Sequence, residues 1–204
     1  MIITVGRQIG SGGHDIAKKL AEELGCKFYD MEILTIAAEE SGFDRKFFEK
    51  TDEKRGFFRN IFSGSAFNGA MVNYGDTFGN RFSQEGLFQF QSEAIQKAAA
   101  ESDCVFVGRC ADYVLREFDN VVNIFITADY KERVERVKER LGITAEQAEK
   151  LIRDKEDTRA SFYNYYTGKK WGHSASYDLC VNSSKLGVDE TVQLIKAFIK
   201  QLVG

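Results

Sequence analysis

Residues 2–17 read Ile2-Ile3-Thr4-Val5-Gly6-Arg7-Gln8-Ile9-Gly10-Ser11-Gly12-Gly13-His14-Asp15-Ile16-Ala17. Ile2 to Val5 is a short β-branched run, and Gly6 to Gly13 carries four glycines in eight residues. Ile16, Ala17, Leu20, Ala21 and Leu24 then recur at helical spacing. The order is strand, glycine loop, helix. Such a loop gathers backbone N–H groups at the positive end of a helix, a place suited to a phosphate. A tight strand-to-helix turn that binds nothing has the same pattern. The place of these glycines, at the first such unit of the chain, favours the phosphate.

Two ligand classes fit that stretch. The ATP-type loop requires G-x-x-x-x-G-K-[ST], in which lysine reaches the outer phosphates and the hydroxyl holds magnesium. Here Gly13 takes the lysine place and His14 the next. Alternatively, Gly6-x-x-x-Gly10-x-Gly12 matches the glycine spacing of short-chain dehydrogenases, with Asp30 placed 18 residues beyond Gly12 for a ribose. The loop alone leaves both open.

Composition narrows the partners. A chain of 204 residues that is 43% hydrophobic and includes 17 Phe can bury one good-sized core, so a single domain is expected. The formal net charge of −3 gives no global attraction to nucleic acid or to an acidic membrane, and any anion site must come from clustered arginines. There is no run of 18 apolar residues and no leader pattern, which places the expected location in the cytoplasm. Cys26, Cys104, Cys110 and Cys180 form no C-x-x-C pair and are expected as buried thiols. Neither histidine has a second ligand at metal spacing, so no metal site is expected.

Downstream, Cys26 to Asp30 reads as a second strand, Met31 to Ala38 as a helix, and Asp44 as the cap of another through about Thr51. Residues 52–82 are rich in Gly, Asn, Ser and scattered aromatics without a period, and read as a substrate-covering segment. Their aromatics could also serve a homodimer interface. A helix over 85–101 leads to the strand Cys104–Val107, which ends at Gly108-Arg109. After a short helix, Val121 to Ile126 forms a fourth strand ending at Thr127-Ala128-Asp129. Alternating strands and helices predict a mostly parallel α/β sheet with ligands beyond the strands' carboxyl ends. That rule gathers the glycine loop, Asp30, Arg109 and Asp129.

The helix after Asp129 sets Arg133, Arg136 and Arg140 on one face and Val134, Val137 and Leu141 on another. Thr144 and Gln147 form a capping box for a long helix bearing Arg153, Asp154, Asp157 and Arg159. Joined by a turn at Gly142, the two helices could clamp a transferring phosphoryl group. Residues 162–177 are aromatic and basic, and both Tyr165-x-x-x-Lys169 and Tyr166-x-x-x-Lys170 match the proton-transfer pair of short-chain dehydrogenases. Only 34 residues follow Lys170, too few for the rest of such an enzyme. A fifth strand at Leu179–Val181, the turn Asn182-Ser183-Ser184, and a helix over 188–203 on Val188, Val192, Ile195, Ile199 and Leu202 complete the pattern.

The ordered series of glycine loop, Phe-Tyr-Asp, Val-Gly-Arg, Phe-Ile-Thr-Ala-Asp with an arginine helix, Arg-Asp-x-x-Asp and Asn-Ser-Ser resembles the cytidylate kinase-like family of P-loop nucleoside monophosphate kinases. The resemblance spans nearly the whole chain. It implies a three-layer fold of about five parallel strands flanked by helices, with a core of 1–51, 83–128 and 177–204, an acceptor-side insertion at 52–82 and a lid at 129–176. It also implies transfer of the γ-phosphoryl group of ATP, with Mg2+, to a nucleotide or small acceptor. By the same resemblance Gly10, Ser11 and Gly12 cradle phosphate and Arg109 grips the acceptor's phosphate. Arg133 and Arg136 serve as lid arginines, Arg153 and Asp157 face the acceptor, and Asn182, Ser183 and Ser184 touch adenine.

Departures from that pattern are specific. The family's Lys-Gly-Thr is Gly13, His14 and Asp15 here, and the Ser-Gly and later arginine after Asp30 are Met31, Glu32 and Ile36. Arg159 lies six residues rather than seven after Arg153, a rotation of about 100°, and Cys110 replaces the aspartate after Arg109. Losing the lysine removes a preorganised cation. Arg7, Lys169 and Lys170 are the candidate substitutes. Three readings follow: a phosphotransferase of this fold, a non-catalytic nucleotide-binding module, and a compact nicotinamide-dependent reductase.

Overall fold

The computed structural model describes residues 1–30, 84–108 and 110–203. In chain order these form β1 (Ile2–Arg7), α1 (Gly13–Leu24), β2 (Lys27–Tyr29), α2 (Gln84–Glu101), β3 (Cys104–Val107), α3 (Ala111–Val114), β4 (Val121–Thr127), α4 (Tyr130–Leu141), α5 (Ala145–Thr167), a 3-10 turn (Ser174–Ser176), β5 (Leu179–Asn182) and α6 (Gly187–Val203). The helices expected over 31–38 and 44–51, the segment 52–82, and Arg109 lie outside the described residues.

The strands pair in parallel in the order β2-β3-β1-β4-β5, which puts β1 at the centre. Side chains alternate across the two faces, and both faces are covered, as a central parallel strand requires. Ile3, Val5, Val105 and Ile124 pack with Ile16 and Leu20 of α1 and Ile195 of α6 on one side. Ile2, Cys104 and Phe106 pack with Ile95 of α2 and Leu115 on the other. This is the three-layer arrangement expected. A third cluster, Ile9, Val134, Val137, Ala148 and Ile152, lies beyond the sheet, where α4 and α5 meet the glycine loop.

Two expectations need correction. Cys180 is exposed rather than buried, because β5 ends the sheet and Val181, not Cys180, turns inward. Leu202 is 55% exposed although the stripe it extends is buried as far as Ile199. Cys104 and Cys110 are buried, and Cys26 is partly so.

Candidate active site

The site forms where β1 ends and α1 begins. Gly10 (φ 76°) and Gly12 (φ 74°) both take left-handed backbone that favours glycine. A Cβ on Gly10 would also sit 2.6 Å from the Arg133 carbonyl oxygen, so α4 can approach only a glycine. The Gly12 cap makes no side-chain hydrogen bond; the Gly13 N–H donates to Ser11 Oγ at 3.3 Å, and the helix N-terminus beyond it is suited to an anion. Ser11 is fully buried and works from beneath. Its hydroxyl donates to the Gln8 carbonyl at 2.9 Å, and its own carbonyl accepts from the buried Ser183 hydroxyl at 2.6 Å.

The loop's one apolar residue anchors α4 and α5. Ile9 is 6% exposed in the third cluster, and its N–H donates to Glu156 Oε1 at 3.1 Å. The same carboxylate takes Arg133 Nη1 at 2.5 Å, and Arg133 also reaches the Ile9 carbonyl. Arg136 Nη1 donates to the Gly10 carbonyl and Nη2 to Glu132; Arg159 Nη1 donates to the Arg7 carbonyl at 3.1 Å. Three arginines from two helices thus hold loop carbonyls, which turns the loop's outward N–H groups toward the space in front of α1.

Two cavities flank this loop and share Arg7 and Arg159. The first, about 300 Å³, lies between the loop, His14 and Asp15 on one side and Arg136 and Arg140 on the other. His14 Nε2 is 3.4 Å from Asp30 Oδ2, and Nδ1 is 3.4 Å from Asp15 Oδ1. The hydrogen bond to Asp30 leads the causes that raise the imidazole pKa above its ordinary value, with Asp15 adding to it against partial burial. Two carboxylate neighbours suit the doubly protonated ring.

The second cavity, about 230 Å³, has Gly6, Gly108 and Thr4 at its base and Phe162, Tyr163, Trp171 and Tyr177 as walls. Trp171 and Tyr177 pack on Phe125, with ring centroids 5.4 and 4.8 Å away. Asp112, 7% exposed, lines it and accepts the Tyr163 hydroxyl at 2.6 Å. Burial pushes the Asp112 carboxyl pKa up, opposed by that hydrogen bond. Burial likewise raises Tyr163, and raises Tyr177 to about 12.

Of the residues singled out in the sequence, Arg7, Gly10, Gly12, Gly13, His14, Arg136 and Arg159 line one or both cavities. Arg133 is buried against Glu156 and Ile9. Arg153 and Asp157 are exposed on α5 and line neither cavity, as is true of Lys169 and Lys170. Asn182 donates to Asp129 at 2.8 Å, and with Ser183 it ties the β5 turn to the loop and the end of β4. Asp30 reaches the site through His14. The tyrosine-lysine pairs are divided by the α5 C-cap, where Gly168 takes φ 66° between the tyrosines and the lysines. Glu156, Asp112 and Ile9 were missed. An isoleucine set among glycines was the available signal for the last; nothing local marks the other two.

Residues 2–185 match the model of the cytidylate kinase-like family, which is nearly the whole chain. The chain belongs to the cytidylate kinase-like family. Within that family's reach, a cytidylate kinase of Methanopyrus kandleri is 29% identical over all of this chain and 95% of its own length. One from Pyrococcus horikoshii is 28% identical over 99% of this chain and 90% of its own. An uncharacterized protein from Eubacterium ventriosum has a similar solved structure, with a TM-score of 0.73, 28% identity and 98% coverage of both chains. Shikimate kinase from Bacteroides thetaiotaomicron, 16% identical with a TM-score of 0.53 over 98% of both chains, shares the P-loop kinase fold. The cytidylate kinase-like chain described here keeps that fold around a loop whose lysine place is Gly13.

Proposed function

We propose that this chain is an ATP-dependent phosphotransferase of the nucleoside monophosphate kinase type, acting on a nucleotide or a small acceptor. The observation that carries the reading is that two cavities meet at the same two cations, Arg7 and Arg159, at the end of a glycine loop. ATP phosphates would lie against Gly10, Gly12, Gly13 and His14, with Arg136 opposite, and the acceptor would lie across Arg7 toward Trp171. Arg109 and Arg159 serve the acceptor side in this reading, Asp30 acts through His14, and Arg153 and Asp157, which line neither cavity, carry no part of it. Arg133 acts by holding the loop, and Asn182 and Ser183 by fixing its underside. In-line phosphoryl transfer needs little covalent help from protein; it needs positioning and neutralised charge, which arginines on both sides of the path supply.

The loop suits a nucleotide's phosphates because Gly10, Gly12, Gly13 and His14 line one cavity with Arg7, Arg136, Arg140 and Arg159. Among the described residues no group of His, Cys, Asp and Glu is arranged to hold a metal ion. Mg2+ would come bound to the nucleotide's phosphates, where it spreads their charge. No helix among the described residues is long and apolar enough to cross a membrane. The test is ADP formation from Mg-ATP with each of CMP, dCMP, UMP, AMP and GMP. Acceptor-dependent ADP is expected, and none with any of them would overturn the reading. The lysine place taken by Gly13 favours a second reading, a nucleotide-binding module without turnover, which predicts ATP binding with no ADP.

A further inference from the structure

The ATP-type pattern G-x-x-x-x-G-K-[ST] laid over residues 7–14 puts Arg7 at the first glycine, Gly12 at the second and Gly13 at the lysine. A glycine and a cation have exchanged places. We infer that Arg7 is this chain's replacement for the loop lysine, a catalytic residue whose guanidinium contacts the transferring phosphoryl group. The inference rests on the phosphotransferase reading.

The exchange has a steric cause. Gly13 is not in left-handed backbone, so its conformation gives no reason for glycine. Space does. A Cβ on Gly13 would sit 2.5 Å from Arg7 Cβ and 3.2 Å from both Arg7 Cγ and Ile126 Cβ. Arg7 Cβ is the root of that side chain and cannot swing away, because β1 is paired with β4 through Arg7 itself. A side chain at 7 and a side chain at 13 therefore exclude each other. From Gly13 the Arg7 side chain runs on to Gly108, where an added Cβ would lie 2.0 Å from Nη1. The guanidinium thus sits at the end of β3, on the border shared by the two cavities.

Among the described residues, Arg159 also lines both cavities and donates to the Arg7 carbonyl at 3.1 Å, so it shares this border with Arg7. Arg133 is buried on Glu156, Arg136 bridges Glu132 and the Gly10 carbonyl, and Lys169 and Lys170 line neither cavity. A guanidinium offers a planar fork that can take two phosphate oxygens together, which a lysine's single ammonium cannot match. During transfer the bond from phosphorus to the donor's bridging oxygen breaks as the bond to the acceptor oxygen forms. Arg7 stays protonated throughout and offsets the charge on the moving group.

The test uses the full chain and five variants: Arg7→Met, Arg7→Lys, Arg7→Gly, Gly13→Lys and the double exchange Arg7→Gly with Gly13→Lys. Turnover of Mg-ATP with the acceptor panel is read beside calorimetric affinity for inorganic tripolyphosphate, with melting temperature as the fold control. Arg7→Met should lose about 100-fold in kcat, the scale for one preorganised charge stabiliser, while melting within a few degrees of the native chain. Arg7→Lys should retain more activity than Arg7→Met. Gly13→Lys alone should be destabilised and no more active than Arg7→Met. The double exchange restores the first glycine and the lysine of the usual loop, with His14 still at the hydroxyl place, and should be at least tenfold more active than Arg7→Gly. Native-like turnover in Arg7→Met overturns this inference and leaves the phosphotransferase reading intact. A native chain that neither turns over ATP nor binds tripolyphosphate overturns both. If the native chain binds without turnover, an unchanged tripolyphosphate affinity in Arg7→Met overturns the inference, and a tenfold loss supports it.

Discussion

The two cavities that meet at Arg7 are made of different material. On the His14 side the wall is the glycine loop with the start of α1, faced by Arg136 and Arg140. On the Trp171 side it includes four aromatic residues, Phe162 and Tyr163 of α5 and Trp171 and Tyr177 beyond it, with the buried carboxylate of Asp112. Backbone amides and arginines hold any phosphate chain of the right length, because they meet oxygens that every nucleotide carries. Aromatic walls and a single buried acceptor group discriminate by shape and hydrogen bonding. In the proposed phosphotransferase the difference gives generality to the donor side and selectivity to the acceptor side.

That contrast can be broken first at its shared support. Glu156→Ala leaves the buried Arg133 and the Ile9 N–H without their acceptor, and should cost about 4 kcal/mol in urea denaturation, the scale for one lost partner of a buried pair. Replacing both partners together, Glu156→Leu with Arg133→Met, should recover most of that stability. A loss below about 1 kcal/mol in the single variant would mean that the ion pair is not what seats the two helices. Next, Gly10→Ala meets both an unfavourable backbone region and the Arg133 carbonyl. It should cost about 3 kcal/mol and weaken ATP binding, and a fully stable variant would contradict the close approach.

Tyr163→Phe acts on the other cavity alone. It removes the hydroxyl that donates to Asp112, and should cost about 1.5 kcal/mol and raise the acceptor's KM, with ATP affinity unchanged. Because that hydrogen bond opposes the burial-driven rise at Asp112, its loss raises the carboxyl pKa further. The acidic limb of the pH-rate profile should then move to higher pH. A change in ATP affinity with none in acceptor KM would reverse the assignment of the two cavities.

The smallest effect is at His14. Its folded-state pKa is raised, chiefly by Asp30, so the stability it adds is fully present below its unfolded value and is lost as pH rises through the folded one. The ring is 45% exposed, so solvent screening holds the contribution to about 0.3 kcal/mol. His14→Gln should be slightly less stable than the native chain below the ordinary histidine range and equal to it above the raised value. A difference that grows with pH would contradict the ion pairs.

The His14 side was legible in the sequence because it is local. Strand, glycines and helix lie within residues 2–24, and the Thr144–Gln147 capping box reads from four adjacent residues. The Trp171 side was not, since Asp112 and Tyr163 meet across 51 residues and neither sits in a pattern that points to the other. Helical spacing put Arg133 on the same face as Arg136 and Arg140. Spacing carries no information on depth, and the loop covers Arg133 while leaving Arg136 partly open. The Tyr-x-x-x-Lys matches failed for a related reason. Four-residue spacing implies a shared helical face only while the helix continues, and α5 stops at Thr167.

The central claim is that donor and acceptor occupy separate cavities joined at Arg7. Calorimetric titration of CMP, and then of the other monophosphates, into the chain saturated with a magnesium complex of a non-hydrolysable ATP analogue tests it most directly. The account predicts that at least one monophosphate binds this complex with one-to-one stoichiometry and without displacing the analogue. Strict competition between every monophosphate and the analogue would contradict it, since both would then be using one site.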